Sequence, residues 1–355
     1  MLPQVLSNER FGELIRFLMD RYRVVGPVAK PAEAVAGGGH SFEVIADPSQ
    51  LDMDYPLTIL PPKKYFFPQY ETLLSFARDA SGSHVEAQAQ VRPTAIVGMH
   101  PCDVYATWLL DDVFSRDESD PYYLARRDRA LIIGLDCARP CDEHVFCQDM
   151  GSLYVDTGYD LMLSDLGDRY YVDVGSERGR ELVETSGCFE PATQADHEKH
   201  AEHVRRKRER FSNMISYDTK YLPQILDESY DSLLWDAASR GCFSCGACNL
   251  VCPTCYCFDV TDEVEMDLQT GRRRRSWDSC MLKSFAEVAG GENFREHRSA
   301  RLRHRVFRKG KYMLEMFGKL GCVGCGRCDR HCPAKISILQ IYQQLAATPT
   351  TAAAR

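Results

Sequence analysis

Two segments of the chain place four cysteines each at the same spacing. Gly241 to Pro253 reads GCFSCGACNLVCP, and Gly321 to Pro333 reads GCVGCGRCDRHCP. Both follow the pattern Cys-x-x-Cys-x-x-Cys-x-x-x-Cys-Pro, in which closely spaced thiolates wrap a cubane iron-sulfur cluster. A lone Cys-x-x-Cys also occurs in zinc sites and redox-active dithiols. The repeated four-cysteine pattern instead favours two [4Fe-4S] clusters.

The fourth cysteine of each motif, which precedes the proline, is predicted to bind the cluster of the other motif. In proteins with two such motifs this residue points away from its own three neighbours and ligates the other cluster. The exchange of ligands would hold the two clusters close together. The predicted ligands are Cys242, Cys245, Cys248 and Cys332 for the first cluster, and Cys322, Cys325, Cys328 and Cys252 for the second.

Another set of cysteines follows two short apolar runs, Thr94 to Met99 and Ala130 to Asp136, which are predicted to be buried strands. Loops at strand ends commonly carry function, so these thiols are expected to converge. Their spacing is not the ferredoxin spacing, and both zinc and a third [4Fe-4S] cluster suit the ligand type. Asp103 and His144 are alternative ligands, although an ordinary loop role is expected for each. The set consists of Cys102, Cys137, Cys141 and Cys147.

Three more cysteines surround the first motif in sequence without a recognisable ligand pattern. Cys255 and Cys257 lie in CPTCYCFDV, and Cys280 lies in RRRRSWDSCMLKSF. Free cysteine often behaves as a small buried hydrophobic residue. We interpret these three residues in that way, because no clear fourth ligand for a further cluster lies nearby.

Composition limits the class of protein. The chain has 355 residues, 44% of them hydrophobic, with 16 cysteines and a net charge of -8. The N-terminus lacks the features of a secretory signal, and no run of about 18 apolar residues is present, which predicts a cytoplasmic protein. In that compartment cysteines are expected to be metal ligands and not disulfides. The negative charge argues against nucleic acid as a partner.

The expected architecture is α+β. An N-terminal α/β domain is predicted over residues 1–187, with a helix in ERFGELIRFLMDRY and a hairpin in DLMLSDLGDRYYVDVG. A helical connector would follow over 188–240, and a mostly helical ferredoxin-like domain with two [4Fe-4S] clusters over 241–346. Residues 347–355 are predicted to be a disordered tail. The GGGH segment at Gly37 to His40 is predicted to be a flexible loop.

Two basic runs lie between the cluster motifs, at Arg272 to Arg275 and Arg298 to Lys311. They are predicted to offset the negative charge of thiolate-ligated clusters or to dock an acidic partner, with much of their length on solvated helix faces. The chain contains neither a G-x-G-x-x-G sequence after a strand nor a P-loop. Nicotinamide and flavin are therefore expected to bind to a partner.

Several longer segments resemble the iron-sulfur beta subunit of cytoplasmic nickel-iron sulfhydrogenases and the related iron-sulfur subunit of anaerobic sulfite reductase. The resemblance covers Pro61 to Ala346, nearly the whole chain. The segments that carry it are PPKKYFF, VGMHPCD, FCQDMGS, DLMLSDLGDRYYVDVGSE, CPTCYCFDV and SWDSCMLKSFAEVAGGENFR. The family loop often ends in Cys-Phe-Cys, whereas Val145 precedes Phe146 and Cys147 here, so Cys141 is interpreted as the replacement ligand.

The resemblance implies an electron-transfer subunit without a catalytic site of its own. Such a subunit passes electrons through [4Fe-4S] clusters between a flavoprotein subunit, which holds FAD and handles NAD(P)H, and the subunits that hold the catalytic metal. Nickel-iron hydrogenase small and large subunits are the expected metal partners, with sulfite reductase as the alternative, and no membrane partner is expected. Two other functions compete with this interpretation: a self-contained iron-sulfur oxidoreductase with a flavin or substrate site near Cys102, and a regulatory cluster protein that binds nucleic acid.

Overall fold

The computed structural model describes residues 2–31 and 39–347. Two predictions fall partly outside these ranges. The flexible loop was predicted for Gly37 to His40, and Gly37 and Gly38 lie outside the described residues. Residues 348–355 of the predicted tail lie outside them as well.

The described parts of those two segments belong to regular elements, and the loop prediction is therefore wrong at Gly39 and His40. Gly39 and His40 begin a strand, because they pair with Lys30 and Ala29 of the strand before. Ala347 ends a helix that runs through the apolar sequence before it. Alanine has the strongest intrinsic helix preference, which explains why the helix extends that far.

Strands of the described residues form two sheets. The larger one has eight strands in the order β10-β1-β9-β8-β7-β6-β2-β3, and the smaller one has four in the order β11-β12-β4-β5. The strands are β1 (Gln4–Ser7), β2 (Arg23–Lys30), β3 (Gly39–Val44), β4 (Tyr70–Asp79), β5 (Gly82–Ala87), β6 (Thr94–Met99), β7 (Ala130–Leu135), β8 (Leu161–Asp165), β9 (Arg169–Val174), β10 (Glu190–Pro191), β11 (Phe258–Val264) and β12 (Thr270–Trp277).

The centre of the larger sheet is parallel, over β2, β6, β7 and β8, and its outer pairs are antiparallel. Every residue of β6 and β7 is buried. Continuous apolar runs of this kind are typical of parallel strands covered on both faces. The predicted strands at β6 and β7 and the predicted hairpin, formed by β8 and β9, are confirmed.

Helices flank the larger sheet and make up most of the C-terminal region. The N-terminal helix begins at the Ser7 cap, which accepts a hydrogen bond from Arg10 N, and buries Leu14, Ile15 and Leu18 as its pattern predicts. A π-helical turn at Arg308–Tyr312 joins two of the later helices. The helices are α1 (Asn8–Met19), α2 (Pro101–Ser115), α3 (Pro121–Asp128), α4 (Glu177–Ser186), α5 (Gln194–Arg210), α6 (Leu222–Glu228), α7 (Leu234–Ser239), α8 (Ala247–Leu250), α9 (Arg298–Phe307), α10 (Met313–Phe317), α11 (Arg327–Arg330) and α12 (Ile338–Ala347).

The segment between the cluster motifs differs from the mostly helical prediction. Residues 258–277 form the β11-β12 hairpin, and β12 pairs with β4 of the N-terminal region, so the smaller sheet joins both parts of the chain. The first basic run lies on β12 and not on a helix. Its outer arginines pair with carboxylates of the neighbouring β11 strand and its turn, such as Asp262 and Glu263.

Arg275, the last arginine of the first basic run, is buried and forms ion pairs with Glu71 and Asp120. The charges of the first basic run are therefore matched by carboxylates of the smaller sheet and by Asp120, which precedes α3. The sequence-based interpretation was that these arginines offset the charge of the clusters or dock an acidic partner. The structure instead pairs them with Asp and Glu side chains of the chain itself.

Buried apolar side chains form one large core around the larger sheet and a second one among α6, α7, α9 and α12. Cys242, Cys248, Cys322 and Cys328 pack against the second core. Apolar side chains of this core thus cover one side of both cysteine motifs. Within the described residues, no helix is both long and apolar enough to cross a membrane.

Candidate metal centres

The structure brings the first predicted ligand set together. We call Cys242, Cys245, Cys248 and Cys332 the first group. All four line one small cavity, whose walls also include the apolar side chains of Met281 and Leu302. Cys332 thus crosses from the second motif to the first, as the exchanged arrangement requires.

The second predicted set, called the second group, has thiols that lie near enough to act on one another's pKa values. Its members are Cys252, Cys322, Cys325 and Cys328. Burial, followed by the proximity of Cys325 and Cys252, raises the pKa of Cys322 to about 12, while the N–H of Gly324 opposes this shift. Burial likewise raises the pKa of Cys328, with Cys322 and Cys325 contributing. Thiols crowded in this way ionise readily only when a cation binds them, which is the behaviour of metal ligands.

Backbone N–H groups point at the sulfur atoms of both groups. Ser244 N and Gly324 N, which occupy equivalent places in the two motifs, lie 3.4 Å from Cys242 Sγ and Cys322 Sγ. Ile336 N lies 3.3 Å from Cys332 Sγ. Hydrogen bonds to cluster sulfur atoms are one of the means by which proteins set reduction potentials.

The N-terminal group, defined as Cys102, Cys137, Cys141 and Cys147, lines a third cavity together with Cys325. Cys102 lies in the first turn of α2, directly after β6, and Cys137 follows β7. Ligands commonly bind at the carboxyl ends of parallel strands, where the connecting loops meet. Burial, followed by the proximity of Cys147, raises the pKa of Cys141 to about 12.

The two alternative ligands named from the sequence do not line the N-terminal cavity as the described residues form it. Asp103 instead accepts two hydrogen bonds from Arg327, at 2.6 and 2.7 Å. The His144 side chain lies 3.7 Å from Glu143 and its backbone packs against Gly326. The thiols that line this cavity are therefore those of the N-terminal group and of Cys325.

The loops of the second and N-terminal groups interlock. Phe146 N donates to Gly324 O at 2.8 Å, and Ser152 Oγ donates to Val323 O at 2.6 Å. Gly324 has a φ of +63°, and a Cβ there would lie 2.5 Å from the carbonyl of Phe146. Only glycine allows this approach, so the two groups share a wall to which Cys325 belongs.

Connector helix α5 fixes the loop that carries Cys137. His203 and Lys207, both buried on α5, hydrogen-bond to the two carboxylate oxygens of Asp136, the residue after β7. Lys207 also donates to Leu153 O at 2.9 Å. The predicted helical connector thus contains a helix that packs beside a cysteine group, although β10 at its start belongs to the larger sheet.

Buried cations lie between the cysteine groups. Arg305 and Lys309 are buried, and no Asp or Glu of the described residues forms an ion pair with either. Burial lowers the pKa of Arg305, but nearby thiols, Cys248 and Cys328 foremost, raise it above its usual value. A buried cation needs a nearby negative charge, and iron-sulfur clusters ligated by thiolates would supply it. The donor sets and the unmatched cations together fit [4Fe-4S] clusters.

Sequence reasoning missed a site around Cys255, Cys257 and Cys280. These residues were interpreted as space-filling, yet the structure places all three on the wall of one cavity beside Arg305 and Lys309. The signal in the sequence was weak, because Cys280 lies far from the other two and the hairpin that unites them was not predicted.

Comparison with known proteins agrees with these observations. Residues 241–336 match the family described as a 4Fe-4S dicluster domain. Over 341 residues the chain is 34% identical to sulfhydrogenase 2 subunit beta of Pyrococcus furiosus, covering 96% of this chain and 97% of that protein. The chain belongs to the sulfhydrogenase beta subunit family. The expected resemblance is therefore confirmed, and the family provides iron-sulfur electron-transfer subunits of hydrogenases.

A second relative is less similar to the chain. The F420-dependent formate dehydrogenase subunit beta of Methanocaldococcus jannaschii is 28% identical over 178 residues, which is 49% of this chain and 38% of that protein. Both relatives are subunits of oxidoreductase complexes by name. No solved structure is significantly similar to the chain.

Proposed function

We propose that this chain carries electrons through three [4Fe-4S] clusters between a flavoprotein subunit that uses FAD and NAD(P)H and the metal subunits of a nickel-iron hydrogenase. The observation that carries the proposal is the nearly full-length similarity to a sulfhydrogenase beta subunit. The same similarity is why we favour a hydrogenase complex over a sulfite reductase. When bound, each [4Fe-4S] cluster takes up and releases one electron without a change of ligands.

The cysteine groups are arranged as a relay with the second group in the middle. Its Cys325 lines the cavity of the N-terminal group. Arg305 lies near Cys248 of the first group and Cys328 of the second. The chain's own residues hold the groups in this order, supply hydrogen bonds to sulfur, and place positive charge where reduction adds an electron.

Iron content tests the number of clusters. We expect about twelve irons and as many sulfides per chain in anaerobically purified protein, because three cubanes each contain four. About eight irons, with one zinc or with no other metal, would limit the relay to the first and second groups. Fewer than about eight in intact protein would contradict the proposal itself. Iron, zinc and acid-labile sulfide are measured in the same sample.

The first group reaches the surface, which indicates where a partner docks. Cys245 is exposed, and the neighbouring Phe243 is an apolar side chain with 71% exposure that lines the same cavity. Because a buried aromatic residue often dominates binding at an interface, we expect Phe243→Glu to lower the electron-transfer rate to the partner about tenfold or more. Met266→Glu, at a residue with 99% exposure outside the cluster region, is the matched control.

Equal iron content in the Phe243 variant, the Met266 variant and the unmodified chain would separate docking from cluster loss. The rate is measured by stopped-flow reduction in the reassembled complex. An unchanged rate in Phe243→Glu would place the docking surface elsewhere.

A further inference from the structure

A cavity of about 750 Å³ lies at the amino ends of the central parallel strands. Arg23, Thr94 and Ala130 line it, and they are the first residues of β2, β6 and β7, which pair side by side. Cys102 and Cys137 follow the other ends of β6 and β7, so the cavity and the N-terminal group lie at opposite edges of the sheet. Its volume is typical of a small-molecule site.

The wall of this cavity carries positive charges that no carboxylate matches. Arg23, Lys64 and Arg92 line the cavity, and none of them forms an ion pair with an Asp or Glu of the described residues. Arg126 also lines it, but it pairs with Glu71, which is the carboxylate of the described wall and is shared with an arginine of β12. Three cations therefore remain for an anionic ligand.

The guanidinium group of Arg23 is held in place but is not fully hydrogen-bonded. It donates to Thr94 Oγ1 at 3.0 Å and lies over the ring of Tyr65, 5.5 Å from the ring centre. Its Nε is buried and has no hydrogen-bond partner among the described residues. Burial lowers the pKa of Arg23, Tyr65 opposes this shift, and the nearby guanidinium groups of Arg92 and Arg126 lower it further. A buried N–H without an acceptor costs free energy, which the oxygen atoms of a bound anion would offset.

The same tyrosine also positions Lys64. The Lys64 ammonium lies 5.3 Å from the centre of the Tyr65 ring, and the Tyr65 hydroxyl donates to a backbone carbonyl of β3 at 2.8 Å. Burial lowers the pKa of Lys64, and Glu43 opposes this shift, although Glu43 forms its ion pair with Lys30 at 3.5 Å. A tyrosine anchored in this way holds two cations, Arg23 and Lys64, beside the cavity.

The number and kind of these cations indicate the class of ligand. Guanidinium groups match phosphate oxygens with paired hydrogen bonds, and lysine binds phosphate as a point charge. A monoanion would balance one of the three cations, whereas a diphosphate group carries about three negative charges near neutral pH. The side chains of Gln69, Gln88 and Gln90 also line the cavity, whose volume leaves room for the organic part of a phosphorylated molecule.

We propose that this cavity binds a diphosphate group, carried either by inorganic pyrophosphate or by a nucleoside diphosphate. Arg23 Nε then donates to a phosphate oxygen, and Lys64 and Arg92 neutralise the remaining charge. No glycine-rich phosphate loop signals the site in the sequence, because its cations come from distant segments of the chain. The inference does not depend on the electron relay, since no cysteine is among the described residues that line the cavity.

Anaerobic titration calorimetry of the full chain tests the site. Pyrophosphate and ADP are the probes, and sulfate is the reference anion. We expect one site per chain that binds at least one probe about tenfold more tightly than sulfate, or more, because additional charge-assisted hydrogen bonds form. Tighter binding of ADP would identify a nucleotide as the natural ligand, and tighter binding of pyrophosphate would identify the inorganic ion. Binding of both probes no tighter than that of sulfate would overturn the proposal.

Three substitutions locate the binding. Arg92 is exposed, so Arg92→Gln should fold normally and weaken binding of the tighter probe about tenfold through the loss of one charged hydrogen bond. Arg23→Gln should weaken it at least as much. Arg78→Gln is the matched control, because Arg78 is exposed on β4, forms no ion pair with the described residues and does not line the cavity.

The control separates a built site from general attraction to a positive surface. Binding should be unchanged in Arg78→Gln, which removes the same charge from the same sheet that borders the cavity. Equal weakening in the Arg78 and Arg92 variants would mean that the probes respond to net charge, and it would overturn the site. Unchanged binding in Arg92→Gln would overturn it as well. Equal iron content in all the proteins shows that the substitutions leave the fold intact.

Discussion

Replacing Cys332 with serine should remove the first [4Fe-4S] cluster and leave the second one in place. Cys332 belongs to the second motif by sequence, but its side chain lines the cavity of Cys242, Cys245 and Cys248. Serine oxygen is a much poorer ligand than thiolate for iron-sulfur clusters. We therefore expect the loss of about four irons per chain, measured as iron and sulfide, together with the loss of one signal in the electron paramagnetic resonance spectrum of the reduced protein.

Double variants decide which cluster has been lost. Adding Cys242→Ser to Cys332→Ser should cost no further iron, because both residues would hold the same cluster. Adding Cys322→Ser should bring the loss to about eight irons, because the second cluster would go as well. The reverse pattern would show that each motif keeps its own fourth cysteine. Cys188→Ser, which lies in the core of the larger sheet, should retain all the iron.

The sequence was most informative where cluster chemistry itself fixes the spacing of residues. For the first group the motifs predicted cysteines that line one cavity, including the crossed position of Cys332, because three closely spaced thiols cannot wrap a cubane without a distant fourth. The N-terminal group was predicted from a different principle. Cys102 and Cys137 each follow a buried parallel strand, and the ends of neighbouring parallel strands lie side by side.

Long-range strand pairing was beyond sequence reasoning. The run Arg272 to Arg275 was interpreted as offsetting cluster charge or docking an acidic partner, with much of it on solvated helix faces. It lies instead on a strand whose partners are β11 and β4. Glu71 and Asp120, which neutralise Arg275, are far away in sequence, so nothing local indicated that the arginine was buried and paired. The same hairpin unites Cys257 with Cys280, which explains why that site was missed as well.

The charge of Arg327 is expected to affect both the stability of the protein and the reduction potential of the adjacent clusters. It is fully buried with 0% exposure, lies between two cysteines of the second group, and donates two hydrogen bonds to Asp103 and another to Thr58 O. Asp103 follows Cys102 of the N-terminal group. The ion pair therefore joins the N-terminal and C-terminal parts of the chain at the wall between two cysteine groups, and we expect its charges to act on both.

Two measurements follow from this position. Arg327→Met leaves Asp103 buried without a counter-charge, so the free energy of unfolding should fall by about 3–5 kcal/mol, as measured by anaerobic urea denaturation. The loss of a positive charge disfavours the addition of an electron, so the reduction potential of the adjacent clusters should fall. The expected fall is on the order of 50–100 mV at an effective dielectric constant near 20, and redox titration measures it.

A second substitution that restores the net charge distinguishes the effect of the Arg327 charge from the effect of its packing. Arg327→Met combined with Asp103→Asn should recover most of the potential, because the net charge at the wall returns to its original value. Asp103→Asn alone should raise the potential. The matched control is the exposed pair Arg273 and Asp262, joined at 2.8 Å in the same two-bond geometry. Removing that pair should change stability by less than about 1 kcal/mol, because solvent screens it. A potential that fell equally in the single and double variants would mean that Arg327 acts through loop geometry and not through its charge.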